Sequence, residues 1–197
     1  MPRPEQAEYD RLAPSYDSRW ASYNAAAASA TLDGLDLQPG LRVLDLAAGT
    51  GLLARHALRR QPALSVLGID LSRGMLALGH GPRVQADAAR LPLADAAFDL
   101  VLSASAFHVF PRPSAPLAEA RRVLRPGGTL VLTDWCDDYL TCKLLTLWLR
   151  LTSPSPPRPQ TLRSCRLLLE AAGFSVVSAR RFKVDWSWGL MRLEARR

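Results

Sequence analysis

Arg42-Val-Leu-Asp-Leu-Ala-Ala-Gly-Thr-Gly-Leu-Leu-Ala-Arg-His-Ala-Leu-Arg-Arg-Gln61 joins a short apolar run to a segment of helical period through a turn with two glycines. From Arg42 to Leu46 only Asp45 interrupts Val43, Leu44 and Leu46, the near-continuous apolar content of a strand buried on both faces, as parallel strands are. From Thr50 to Arg60 the apolar residues recur three and four apart, which predicts a helix. Gly49 and Gly51 let the backbone bend tightly between the two. Strand, tight turn and helix in that order are the opening of a parallel α/β sheet.

The rest of the chain repeats the pattern. Strands are expected at Ser65 to Asp70, Arg83 to Asp87, Phe98 to Ser103 and Thr129 to Thr133, each short, apolar and closed by a polar residue. Helices are expected at Ser72 to Leu78 and Ser114 to Leu124, the latter stopped by Pro126-Gly127-Gly128. Asp137 to Leu151 reads as an amphipathic helix, and Ser153-Pro-Ser-Pro-Pro-Arg-Pro159 cannot continue it. After a further helix, Thr161 to Ala172, the runs Phe174 to Val184 and Trp186 to Ala195 lie too close together for a crossover and are expected to form an antiparallel hairpin. The fold class that follows is α/β, a single Rossmann-like doubly wound sheet, mostly parallel, with an antiparallel C-terminal hairpin strand.

At 197 residues and 48% hydrophobic, the chain has room for one domain with a core of its own. It contains no apolar run of membrane-spanning length and no secretory leader, so a cytoplasmic location is expected. Cys136, Cys142 and Cys165 are odd in number and lack paired C-x-x-C spacing, which predicts neither a disulfide framework nor a metal site. The net charge of +7 is carried by scattered arginines, with Lys143 and Lys183 the only lysines, and reads as a solvated basic surface and not a nucleic-acid face.

In an open parallel sheet, ligands collect at the carboxyl ends of the strands. Asp45, Asp70 and Asp87 stand at three successive ends, a set suited to a nucleoside: one carboxylate can accept from vicinal ribose hydroxyls and another from an exocyclic amine. Each has a plain reading as well, since Asp70 could belong to a helix N-cap and Asp87 could cap the turn after it.

Four stretches carry a resemblance: Val43-Leu-Asp-Leu-Ala-Ala-Gly-Thr-Gly51, Gly68-Ile-Asp-Leu-Ser-Arg-Gly-Met-Leu76, Ala86-Asp-Ala-Ala-Arg-Leu-Pro-Leu-Ala-Asp-Ala-Ala-Phe-Asp-Leu-Val-Leu-Ser103 and Arg122-Val-Leu-Arg-Pro-Gly-Gly-Thr-Leu-Val131. In order they resemble the motifs of class I S-adenosylmethionine-dependent methyltransferases, of the ubiquinone/menaquinone-biosynthesis-like (type 11) branch. Tyr9-Asp-Arg-Leu-Ala-Pro-Ser-Tyr-Asp17 resembles that branch's entry segment. The resemblance implies strand order 3-2-1-4-5-7-6 and S-adenosylmethionine as cofactor. It implies that Ala47 to Gly51, Gly49 included, holds the methionine moiety with Asp45 steering its amino end. Asp70 then takes the ribose hydroxyls, Leu71 and Met75 lie against the adenine, Asp87 and Ala88 read the adenine edge, and Ser103 lies beside the sulfonium. Ala47 stands where many relatives have glycine; a methyl is expected to fit because the segment is taken as still strand-like.

One methyltransferase domain over 1–197 is therefore expected, with an N-terminal helical cap (1–38), a cofactor-binding core (39–134), a substrate lid (135–160) and a last helix with edge hairpin (161–197). Methyl transfer from a sulfonium is an in-line displacement in which the protein aligns the reactants and excludes water. His108 is the candidate general base, with a structural histidine as the alternative; Asp134, Trp135 and Asp137 to Tyr139 could face the acceptor. Among the early aromatics Tyr9, Tyr16, Trp20 and Tyr23, Tyr16 is the expected cofactor contact. The short apolar lid favours a small, partly hydrophobic acceptor over nucleic acid. Two rivals stay open. One is an NAD(P)-dependent oxidoreductase, because Gly49-Thr-Gly-Leu-Leu-Ala54 also fits a dinucleotide fingerprint; the other is an RNA-directed methyltransferase.

Overall fold

The computed structural model describes residues 3–153 and 155–197; Met1, Pro2 and Pro154, which fall in the expected cap and lid, lie outside the described residues. Two helices, α1 (Pro4–Arg19) and α2 (Ala21–Leu32), precede the sheet. Pro4 opens α1 where its missing N–H costs nothing, and α2 is rich in alanine, the best helix former. The seven strands are β1 (Arg42–Leu46), β2 (Ser65–Asp70), β3 (Arg83–Gln85), β4 (Phe98–Ala104), β5 (Leu124–Trp135), β6 (Ser175–Lys183) and β7 (Gly189–Arg196), in the expected order β3-β2-β1-β4-β5-β7-β6. The first five are parallel, and β7 runs antiparallel between β5 and β6.

The period of two sorts the core. Val43, Val66, Leu100, Leu102 and Val131 face α2 and α3 (Leu52–Arg60). Leu44, Leu46, Ile69, Val101, Leu130 and Leu132 face the other way, packing with residues of α5 (Ser114–Val123) and α7 (Leu162–Ala171). Both faces are covered, which is why these strands read as unbroken apolar runs. Helix α4 (Arg73–Leu78) starts where the Ser72 hydroxyl accepts the Met75 N–H at 3.1 Å, and Thr161 caps α7 in the same way through Ser164 N–H.

Several boundaries differ from expectation, among them β7, which starts at Gly189 and not Trp186. β3 stops at Gln85 because the Asp87 carboxylate accepts Ala89 N–H (3.0 Å) and its carbonyl accepts Arg90 N–H (2.9 Å), turning the chain before the acid. β5 begins at Leu124, five residues early, with Pro126 to Gly128 forming an irregularity in the ladder and Gly127 at φ 73°. Helix α6 (Leu140–Thr152) starts only after Tyr139.

The loop after β3 is held from α5. Arg122 donates to the carbonyls of Leu91 (3.1 Å) and Leu93 (2.7 Å), and Glu119 accepts Leu91 N–H at 2.6 Å. These bonds fix the segment that follows Asp87.

Helix α6 is locked at its start to β7. Cys142 Sγ accepts Gly189 N–H at 3.4 Å, and the Tyr139 ring covers Gly189 so closely that a Cβ there would lie 1.9 Å from the ring. Gly189→Ala is expected to cost about 1–3 kcal/mol by overpacking, lowering Tm by several degrees. In a Tyr139→Ala background the same change should cost far less, a coupling that thermal melts of the four proteins in the cycle would measure.

Candidate functional site

The carboxyl ends of β1 to β4 and the inner sides of α1 and α2 enclose a cavity of about 460 Å³, within the range of small-molecule sites. Asp45, Ala47, Gly49, Asp70, Leu71, Met75, Asp87, Ala88 and Tyr16 all line it, together with Tyr9 and Asn24 from the two leading helices.

Asp45 shares the face of Val43, so its carboxylate turns toward α3, where Oδ2 accepts Ala54 N–H at 3.2 Å. It is 2% exposed, and burial pushes its pKa up to about 7, the Ala54 bond opposing and the Asp70 charge adding to the rise. Asp70 accepts Gly49 N–H through Oδ2 and Ser72 N–H through Oδ1, both at 2.8 Å. Burial raises its pKa, while the three backbone N–H groups of Ser72, Gly49 and Leu71 counter it. Three bonds do not exhaust the carboxylate, which keeps acceptor capacity for a ligand hydroxyl. Ser72, not Asp70, is the helix cap.

Asp87 has a partner that the sequence did not suggest: Arg3 Nη2 lies 2.5 Å from Oδ2. Burial opposes its ionisation, yet Arg3 and Ala89 N–H hold its pKa below the ordinary value. Two more acids on α1 fasten that helix across the strand ends. Asp10 Oδ1 accepts from Ser72 Oγ (2.5 Å) and Gly74 N–H (2.8 Å). Asp17 accepts from Thr50 Oγ1 (2.7 Å) and Arg55 (3.3 Å). Asp10 and Asp17 directly follow Tyr9 and Tyr16 of the entry segment, seven residues or two helical turns apart; that spacing was the available signal for a helix face that docks. Tyr16, its pKa raised to about 12 by burial first and by the Asp70 charge next, stays protonated and can donate.

Three expected residues are placed elsewhere. Ser103 is buried in the ladder opposite Leu132, one residue too deep; β4 continues to Ala104, and Ala104, Ser105 and Ala106 form the wall, Ser105 turning the chain at φ 56°. Gly51 (φ 74°) is the residue before α3 and faces Gly79 on the far side of the turn. His108 is absent from the wall, although Val109 and Phe110 are on it. Its Nδ1 lies 2.6 Å from Asp134 Oδ1, and its ring meets Trp135 edge-on. Asp134 is 1% exposed and also accepts the N–H groups of Phe107, His108 and Trp135, so it faces the 105–110 loop and not an acceptor. Trp20 and Tyr23 pack with Trp188 away from the wall.

Ala47 also departs from expectation. Its φ is 60°, left-handed and not strand-like.

The arrangement has the chemistry of a site for a nucleoside bearing a charged substituent. Its acids can accept from hydroxyls and amines, the apolar Leu71, Met75 and Ala88 offer surface to a flat ring, and the Gly49 side of the turn leaves space where a Cβ would meet nothing within 4 Å. Among the described residues no cluster of His, Cys, Asp and Glu is arranged for a metal.

A family model described as a methyltransferase domain matches residues 44–132. The chain is 43% identical over 111 residues to a demethylmenaquinone methyltransferase of Beutenbergia cavernae, an alignment covering 54% of this chain and 45% of that protein. It is 30% identical over 203 aligned positions to a malonyl-[acyl-carrier protein] O-methyltransferase of Methylococcus capsulatus, covering 90% of this chain and 72% of that protein. The chain thus spans about half the length of the first of these relatives. In fold it superposes, with TM-score 0.84 and 21% identity over 96% of this chain and 97% of the other, on a chain from the Haloferax volcanii complex with the Trm112 methyltransferase activator.

A non-glycine residue in the left-handed region costs about 1–2 kcal/mol. Ala47→Gly should therefore stabilise the chain by about 1 kcal/mol after the added freedom of the unfolded glycine, a Tm rise of roughly 2–4 °C. Since the pKa of Asp45 is about 7 when folded and ordinary when unfolded, its burial weakens the fold progressively as pH rises from the carboxylate range to about 7. Asp45→Asn should raise Tm at pH 8, the gain fading as pH falls toward about 4; melts across pH check it.

Proposed function

The chain belongs to the methyltransferase domain family, and from that membership and the cavity we infer that it transfers a methyl group from S-adenosylmethionine to a small, partly hydrophobic acceptor. The observation that carries the reading is that one cavity gathers Asp45, Asp70, Asp87 and the Ala47 to Gly49 turn. When bound, S-adenosylmethionine supplies a methyl already activated on a sulfonium, so the protein's work is alignment and exclusion of water.

We assign Asp70 to the ribose hydroxyls through its remaining acceptor capacity, and Leu71, Met75 and Ala88 to the adenine faces. Asp87 is assigned to the adenine amine, for which it must share or exchange its bond to Arg3. Asp45 and the turn at Ala47 and Gly49 are assigned to the amino-acid end, where a cation would offset the burial of the Asp45 charge. Tyr16, donating from α1, closes the cavity. Ser105, at the end of β4 on the wall, replaces Ser103 as the residue nearest the reacting end. His108 we assign a positioning part: bound to Asp134, it sets the loop from Ser105 to Phe110 and takes no proton. The expected division into cap, core, lid and edge hairpin is kept, α1 and α2 as roof and α6 with the segment to Gln160 as the acceptor's boundary.

For the acceptor we propose a quinone-like or acyl-bearing compound, by analogy with the demethylmenaquinone and the malonyl-[acyl-carrier protein] in the relatives' names. The three free, buried cysteines fit a cytoplasmic location. Among the described residues no helix is long and apolar enough to cross a membrane.

Calorimetric titration should show binding of S-adenosylmethionine and S-adenosylhomocysteine and none of NAD. Asp70→Ala should weaken S-adenosylhomocysteine more than tenfold, about 1.4 kcal/mol or more; unchanged affinity would remove the ribose assignment, and binding of NAD alone would remove the reading.

A further inference from the structure

Helix α6 exposes Leu140, Leu144, Leu147, Trp148 and Leu151 at 71, 60, 57, 58 and 81%. With 3.6 residues per turn they fall on one arc of about 100°. The opposite face, through buried Cys142 and Thr146, holds the helix to the protein. The only charged residues on α6, Lys143 and Arg150, are exposed and border one edge of the apolar arc. Before the helix, Arg181 and Lys183 lie over the ring of Tyr139, at 5.9 and 5.8 Å. Acids stand there as well: Asp138 accepts Leu162 N–H at 2.9 Å and lies 3.6 Å from Arg181, the half-buried Asp137 feels the charges of Lys143 and Arg150, and Asp185 is exposed beside Trp186. Trp186, 81% exposed, stands in the β6–β7 connection three residues before Gly189, the residue bonded to Cys142.

We propose that this face docks on an anionic lipid surface. The leucines and tryptophans enter the boundary between headgroups and acyl chains, and Lys143 and Arg150 remain among the phosphates, the arrangement of an interfacial helix. Charge selects this occupant over a second copy of the chain. An isologous pairing of α6 with itself would bring two basic borders of like sign together, in a chain of net charge +7, whereas anionic headgroups neutralise them.

Docking also places the cavity near the bilayer. Beyond α6, Arg158 N–H donates to the His108 carbonyl at 2.6 Å and its guanidinium to the Pro111 carbonyl at 3.2 Å, tying the segment to the loop that carries Val109 and Phe110 on the cavity wall. An acceptor dissolved in lipid would then reach the cavity without crossing water. That consequence rests on the transferase reading; the docking itself does not.

Co-sedimentation of the full chain with vesicles of phosphatidylcholine alone, and of equal parts phosphatidylcholine and phosphatidylglycerol, tests the proposal. Partitioning onto the anionic vesicles should be at least about tenfold stronger and should fall as salt rises. Leu144→Ser/Trp148→Ser/Leu151→Ser should reduce it more than about tenfold. Lys143→Glu/Arg150→Glu, at two exposed positions, should erase the preference for anionic vesicles and serves if the triple variant melts early. Absence of vesicle binding by the unaltered chain, or binding indifferent to both variants, overturns the proposal. So does light scattering that shows a dimer which the triple variant dissociates. Titration of the same samples with S-adenosylhomocysteine reports separately on the cofactor reading.

Discussion

The carboxylate of Asp70 is the hinge pin of the site. One of its oxygens takes the Gly49 N–H from the turn after β1, and the other takes the Ser72 N–H at the start of α4. Two chain reversals that would each leave buried donors unpaired are satisfied by a single side chain. The carboxylate resists its own burial, as its raised pKa records, and the backbone bonds are what keep it usable. With Asp70 in place, Ser72 is positioned to cap α4, and its hydroxyl then meets Asp10 of α1 at 2.5 Å. The roof of the cavity is thus built outward from one acid.

That chain of dependence explains why the strands and the helical cap were legible in the sequence and the bonds that seat the cap were not. Strands buried on both faces write themselves as apolar runs, and Val43, Leu44, Leu46 and Leu100 to Leu102 did so; glycines and proline marked where the runs end. Asp45, Asp70 and Asp87 were readable because an acid closing an apolar run has few other reasons to be there. Asp10 and Asp17 lie in a stretch where polar residues are ordinary, and their partners are 62 and 33 residues away, at Ser72 and Thr50. No local pattern encodes such a pairing. Boundaries also shifted where a side chain captured the backbone, as Asp87 did in ending β3 two residues early.

The same physics separates His108 from Asp45. Both are ionisable groups near the strand ends, and sequence offered each a chemical part. Asp45 keeps one backbone bond and otherwise faces the cavity, so its charge is short of partners. His108 has its ring nitrogen on Asp134, whose carboxylate is saturated by three backbone N–H groups besides. A group so fully engaged sets the shape of its loop. The unsatisfied one is left for a ligand.

The three ties of α1 are unequal, and their order along the helix sets where the roof is weakest. Asp10 and Asp17 bind partly buried partners, among them backbone N–H and hydroxyl groups whose loss would leave a donor unpaired. Arg3 and Asp87 meet through an arginine side chain that is 53% exposed, and an exposed pair of this kind contributes about 0–1 kcal/mol. The contact at the start of α1 is therefore the cheapest of the three to break, and Asp87 is the acid assigned to the ligand's amine. Entry at that end exchanges one weak bond for another, while the Asp10 and Asp17 ties keep the remainder of the helix seated over the strands.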